Sequence, residues 1–276
     1  MKVISIFSIV AIFMVSCNSN SSNQSGASSI ETNKALYERA LGLEDYGTAL
    51  VALNYILLED TTNLEYTDSL ARLYMRSGSF DAGLQLGYKV MDAQPKNYKL
   101  LELIATAEEY KADPIHLTKS YKSFKKLYEE VGGARYLIKL AQIGMLQGNM
   151  EPALKRLDEV IADPNVTMIE SPTRNGGVQM IDVKAAAYFL KANYELNLGN
   201  AKGGGDYLNK ALQISPKYEA ASLLVQDLQR YQQQMASQGQ QMNQQQVIAA
   251  QRAAAEKQRA AELEAKRYEE FMKNKK

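Results

Sequence analysis

The feature that most constrains this chain is a period of 34 residues. Between Ile30 and Tyr218 apolar residues recur at intervals of three and four, the spacing of one helix face. Gly, Asn, Asp and Pro interrupt them at short intervals, and no stretch alternates for long as a strand would. The clearest unit, Leu64–Asn97, carries Leu70-Ala71, Tyr74, Gly78-Ser79-Phe80, Gly83, Val90 and Pro95. Ala71, after a large residue, lets a first helix approach a second closely. Gly83, early in the second helix, does the same from the other side. Large residues fill the space around them, and Pro95 stops the second helix because it cannot donate the next backbone bond. Short helical hairpins of this kind cannot each bury an apolar face alone, so they have to stack.

These residues and intervals resemble the tetratricopeptide repeat (TPR), whose pattern is Leu-Gly, Tyr, a turn, Ala, an aromatic, Ala and Pro. Gly87 departs from it, standing where an aromatic or Leu is usual. Further units lie near 30–63, 98–132, 134–165 and 184–217. Unit 30–63 has Leu36, Ala40, Asp45-Tyr46, Ala49, Leu53 and Ile56. Unit 98–132 keeps Ile104-Ala105 and turns at Asp113-Pro114, an N-cap followed by proline in the first turn; its second helix, with Ser120, Phe124 and Leu127, runs three residues late. Unit 134–165 has Leu140-Ala141, Gly148-Asn149, Ala153, Leu157, Val160 and Pro164. The last has Ala192, Tyr194, Leu198-Gly199-Asn200, Leu208, Ala211 and Pro216, with Gly203-Gly204-Gly205 as a loose start to its second helix.

The resemblance implies an all-α, right-handed superhelix of about five helix-turn-helix units over residues 30–218, with a groove lined by the first helices. The family's groove positions fall on Lys34 and Glu38, on Asp68, Arg72 and Met75, on Glu102, Thr106 and Glu109, and on Arg135, Ile138 and Gln142. This mixed-charge set suits an extended peptide or a partner helix, or equally a solvated face. Some family members clamp a peptide carboxylate with Lys and Asn on successive units. Lys34 matches one such position; Glu38, Ser69 and Leu103 do not, so that activity is not expected.

Ahead of the repeats, Lys2 precedes an apolar run, Val3–Val15, that is too short to span a bilayer, which takes about 20 residues. It ends in Met14-Val15-Ser16-Cys17, with the only Cys of the chain. This resembles the lipobox of bacterial lipoproteins, with Met14 where Leu is usual; residues 1–16 are then a signal peptide and Cys17 the acylated mature N-terminus. A plain signal peptide with Cys17 incidental is the alternative. Residues 17–29, rich in Ser and Asn, read as a flexible tether. Asn18 is not the Asp that resembles an inner-membrane retention signal, and no acidic cluster follows Cys17. The expectation is an outer-membrane anchor with the body facing the periplasm.

Two segments fall outside the period. Residues 166–180, with Glu170-Ser171-Pro172-Thr173-Arg174-Asn175-Gly176-Gly177, read as an inserted loop, either tolerated or functional. After Pro216 comes a capping helix over 219–234, with Ala221, Leu224, Val225 and Leu228 as its apolar side. A Gln-rich segment and a charged, Ala-rich helix then fill 235–276. Their apolar residues form no heptad, so the segment reads as a solvated helix or as a partner-binding arm.

Composition excludes most chemistry. Lys and Arg number 32 against 31 Asp and Glu, so no nucleic acid is expected as a partner. One Cys and one His allow no cysteine zinc site and no His-rich metal centre. His116, just after Asp113-Pro114, reads as a surface residue. Glu108-Glu109 and Glu129-Glu130 are adjacent on helices, so each pair diverges and suits solvent. No phosphate loop is present; Gly203-Gly204-Gly205 lacks the Lys-Ser/Thr ending. No catalytic residue, metal or cofactor is expected. Two functions are carried forward. The first is a lipid-anchored scaffold that binds protein partners of the cell envelope. The second is a ligand-binding accessory lipoprotein of a nutrient-uptake system, against which the absence of Trp, the usual platform for sugar faces, argues.

Overall fold

The computed structural model describes residues 29–273; Cys17 and nearly all of its tether lie outside the described residues. Two compact units divide after Lys96. The first holds α1 (Ser29–Gly42), α2 (Tyr46–Glu59), α3 (Leu64–Arg76) and α4 (Phe80–Ala93). The second holds α5 (Tyr98–Lys111), α6 (Pro114–Val131), α7 (Ala134–Leu146), α8 (Met150–Ala162), strands β1 (Met168–Pro172) and β2 (Val178–Asp182), α9 (Val183–Asn197), α10 (Ala201–Ile214) and α11 (Glu219–Lys273). Successive helices pair as hairpins: α1 with α2, α3 with α4, α5 with α6, α7 with α8 and α9 with α10.

The breakers in the sequence become caps. Asn63, Asn97 and Asn200 accept from Tyr66 N (3.1 Å), Leu100 N (3.2 Å) and Gly203 N (3.0 Å), and Asp113 accepts from the N–H groups of both Ile115 and His116. The first helices α3, α7 and α9 share one ending. Gly78, Gly148 and Gly199 stand there at φ of 82°, 79° and 80°. Just after them, Ser79 N, Asn149 N and Asn200 N donate back to the carbonyls of Tyr74, Gly144 and Glu195 at 2.8–2.9 Å. A left-handed residue with this long return bond turns the chain sharply into the second helix, and glycine adopts it without strain.

Ala40, Ala49, Leu53, Ile56, Leu70 and Leu73 form the core of the first unit. In the second, Ala141, Ala153, Leu157 and Val160 pack with Ala185, Ala187, Ala192, Leu208 and Ala211. Small residues at the helix crossings set the spacing. A Cβ on Gly83 would stand 2.5 Å from Met75 Cγ and 2.9 Å from the Met75 backbone nitrogen. One on Gly204 would stand 2.5 Å from Leu196 Cδ2. The Gly203-Gly204-Gly205 run is therefore a close approach inside α10, which begins at Ala201, and not a loose start. Ser120 on the late second helix α6 is buried and donates to the Ala105 carbonyl (2.7 Å).

The inserted segment is an antiparallel hairpin, not an open loop. Ile169 pairs with Ile181 and Ser171 with Gln179, and the turn closes through Thr173 N to Gly177 O (2.9 Å). One face of the hairpin buries Ser171 and Ile181. It is fastened to the start of α11, where Arg174 N donates to Glu219 (3.2 Å) and Tyr218, 5% exposed, meets Ser171. Burial pushes the Tyr218 phenol up to about 12. The capping helix expected at 219–234 does not end there: α11 runs unbroken to Lys273, since Gln, Ala, Glu and Lys all favour helix. Its packed part is short. Ala221, Leu224 and Val225 join the core, while Gln229–Gln238 are exposed throughout.

Candidate functional site

The expected groove residues are carried by the first helices of the hairpins, in each unit separately. In the first unit Lys34 on α1 is paired with Glu31 (2.8 Å) and stands 5.9 Å from the centre of the Tyr66 ring. The Glu31 hydrogen bond holds its ammonium above the usual lysine value. Glu38 is exposed. On α3 Asp68 and Arg72, one turn apart, form an ion pair through Asp68 Oδ2 and Arg72 Nε (2.9 Å). Asp68 Oδ1 is buried and receives no hydrogen bond. A buried oxygen left without a partner costs stability, and it is as closed to a partner protein as it is to solvent.

Met75 is no groove residue. It is 3% exposed, and its side chain and backbone cover Gly83 of α4. The lack of a side chain at Gly83 draws α3 and α4 together and pulls the end of α3 inward. Ile138 is likewise buried, 5% exposed within the core of the second unit. Both positions face neighbouring helices where the sequence pattern expected solvent.

In the second unit the charges expected to be free are spent on one another. Arg135 on α7 reaches Glu102 on α5 (3.2 Å), and the Tyr136 hydroxyl donates to the same carboxylate oxygen (3.1 Å). Arg135 also donates to the Tyr136 hydroxyl and lies over its ring, 4.5 Å from the centre. Burial and the Glu102 charge both hold the Tyr136 phenol above its ordinary value. Two turns along α5, Glu109 takes both its oxygens to Lys139 of α7, at 2.9 and 3.1 Å. Thr106 Oγ1 donates to the Glu102 carbonyl (2.9 Å), and Gln142 is half-buried. These contacts tie α5 to α7. Lys139 and Tyr136 carry half of that tie, and the repeat positions did not single them out. For Lys139 the signal available was helix spacing: Arg135, Lys139 and Gln142 lie three to four residues apart on one face, whereas nothing in the spacing marked Tyr136.

Glu108 and His116 also differ from expectation. Glu108 has no side-chain exposure; one carboxylate oxygen contacts His116 Nδ1 and the other lies 3.9 Å from Lys119 Nζ. His116 Nε2 lies 3.5 Å from Asp113 Oδ2, so the ring sits between two carboxylates. Glu108 and Glu109 do diverge, as adjacent helical residues must, but each diverges onto a neighbouring helix: Glu108 onto α6, Glu109 onto α7. A first helix held between its own partner and the next first helix buries most of its circumference.

Among the described residues no group of three or more His, Cys, Asp or Glu is placed to hold a metal ion, and no helix is long and apolar enough to cross a membrane. What these surfaces present is side-chain ion pairs within and between first helices.

No family model matches the chain, and no curated protein matches it. Solved structures do. MamA is similar at 15% identity over 68% of this chain and 93% of its own, with a TM-score of 0.52. MamA 41-end from Desulfovibrio magneticus RS-1 is similar at 10% identity over 70% of this chain and 98% of its own, with a TM-score of 0.54. A thermophilic TPR protein from Thermus thermophilus superposes with a TM-score of 0.46, at 16% identity over 72% of this chain and 98% of its own. At such identities the likeness carries the fold alone: the chain is an all-α solenoid of TPR-type helical hairpins.

Proposed function

We propose that the protein is a lipid-anchored adaptor of the cell envelope, fixed in the outer membrane through Cys17, facing the periplasm, and holding protein partners on the first helices of its hairpins. Nothing in it acts as an enzyme in this reading. The observation that carries it is the union of two parts in one chain: a stack of helical hairpins, and a lipobox-like segment whose lone Cys closes an apolar run. A stack of hairpins is a surface with little interior volume, so its use is to be bound. In the first unit the partner would meet the exposed Glu38 and the Asp68–Arg72 ion pair. In the second unit the partner would meet Glu102, Glu109 and Arg135 already neutralised, and would be read by shape more than by charge.

The test is Cys17→Ser in the full chain, with fractionation and partner recovery measured together. The variant should leave the membrane fraction or accumulate unprocessed, while the wild-type protein, solubilised with detergent, brings down a defined envelope protein. A variant that still sediments with membranes after a salt wash contradicts the anchor. A wild-type protein that recovers no partner contradicts the adaptor.

A further inference from the structure

The surface of α2 is unlike that of the second helices in the other hairpins. From Tyr46 to Leu58 it carries no charge at all. One of its faces is buried through Ala49, Ala52, Leu53 and Ile56, as an inner face should be. On the opposite face Val51, Tyr55 and Leu58, four and three residues apart, form an apolar stripe, 52%, 54% and 73% exposed, flanked by the exposed Asn54 and by Glu59, the last residue of α2. Second helices elsewhere turn charges to solvent at such positions, with Lys89 and Asp92 on α4, Lys155 and Glu159 on α8, Asp206 and Lys210 on α10. An apolar stripe kept in one hairpin out of five marks a surface that something covers.

We propose that this stripe lies against the lipid surface to which the chain is tethered. The proposal rests on the anchored reading of Cys17. Only the eleven residues Asn18–Ser28 separate Cys17 from α1, a contour of at most about 40 Å. The hairpin of α1 and α2 is thus the part of the body that follows the anchor most closely along the chain, within reach of the bilayer. Held there, it meets lipid at a high effective concentration, so a stripe too weak to bind alone is enough to dock. Its chemistry suits the headgroup boundary: aliphatic side chains flank a tyrosine, whose ring is apolar and whose hydroxyl stays wet. A second copy of the chain is a poorer occupant, because a specific dimer buries about 1,200 Å² or more, and three partly exposed side chains fall far short. Docking by α2 would hold the first unit in one orientation, so the anchor supplies attachment and the stripe supplies the angle at which α1 and α3 meet a partner.

The chain has no tryptophan, so one introduced residue reports from one place. The full, acylated protein carrying Tyr55→Trp is reconstituted into phosphatidylcholine vesicles with plain or brominated acyl chains, beside a control carrying Gln85→Trp on the exposed side of α4. Emission from position 55 should be quenched in brominated vesicles and emission from position 85 should not. Adding Val51→Asp and Leu58→Asp should abolish the quenching while leaving the melting temperature nearly unchanged, since both side chains are exposed. Protein that sediments with vesicles yet emits equally in both kinds overturns the docking and leaves the anchor standing. A blue shift at position 55 that grows with protein concentration without vesicles overturns it in favour of a second copy. Protein that fails to sediment with vesicles overturns the anchor, and the docking with it.

Discussion

Gly83→Ala is the sharpest probe of how closely these hairpins pack. Inside an exposed helix, Gly to Ala stabilises by about 1 kcal/mol through lost freedom of the unfolded chain. At position 83 the new methyl would sit 2.5 Å from Met75 Cγ, 2.9 Å from Met75 N and 3.1 Å from the Ala71 carbonyl oxygen. Met75 Cγ can swing aside; the two backbone atoms cannot move unless α3 and α4 separate. Overpacking of this kind costs about 1–3 kcal/mol, so the net result is a loss of about 1 kcal/mol. Gly205→Ala is the matched control. Its methyl would meet only Leu228 Cδ2 at 3.6 Å, an ordinary contact, so it should stabilise by up to about 1 kcal/mol. The two variants then differ by about 2 kcal/mol, or roughly 4–8 °C in melting temperature for a chain of this size. Thermal unfolding followed by circular dichroism measures both. A Gly83→Ala protein that gains as much as Gly205→Ala would refute the close crossing of α3 and α4.

Other outcomes follow from single contacts. Tyr218 keeps its proton in the folded state up to about 12, whereas an unfolded tyrosine loses it near 10. The stability it contributes is therefore intact below pH 10 and is lost as pH rises from 10 through 12. Melting temperatures across that window should fall less steeply in Tyr218→Phe than in the wild-type protein. Ending the chain after Ser237 removes residues beyond the packed start of α11, and the melting temperature of the body should not change, because Gln229–Gln238 are already exposed. A drop of several degrees would show that the arm returns onto the hairpins.

How far the sequence reveals this molecule depends on what each residue has to report. The hairpins were legible because their requirement is local and repeated: a small residue wherever two helices cross. Ala71 and Ala141 are fully buried, as their positions in the period demand. Ser120, Phe124 and Leu127, read as a late second helix, are buried in α6. The β-hairpin had a signal that the helical period overshadowed. Asn175-Gly176 is a turn pair, and Ile169 and Ile181 stand on the inner side of a short alternation around it. Burial of Glu108 was not legible, because it depends on His116 and Lys119 arriving from a helix whose phase is shifted by three residues. Met75 and Ile138 were misplaced for a related reason: a family's groove positions assume its average side chains. Here Gly83 stands beneath Met75 and draws it inward. In the second unit the candidate groove was found as a list of charges, but not as Arg135–Glu102 and Lys139–Glu109 pairs, since a repeat pattern places residues without saying which neighbour each will choose.

The adaptor reading stands or falls on which side of the hairpins a partner touches. A photo-crosslinking residue placed singly at Glu38 or Gln142, on first helices, and at Asp92 or Lys155, on exposed faces of second helices, reads this directly in intact cells. The account predicts a discrete adduct with an envelope protein from the first two positions, that from Glu38 diminished by Arg72→Glu in the same unit, and none from the other two. Adducts of equal yield from all four positions, or from Asp92 and Lys155 alone, would contradict it.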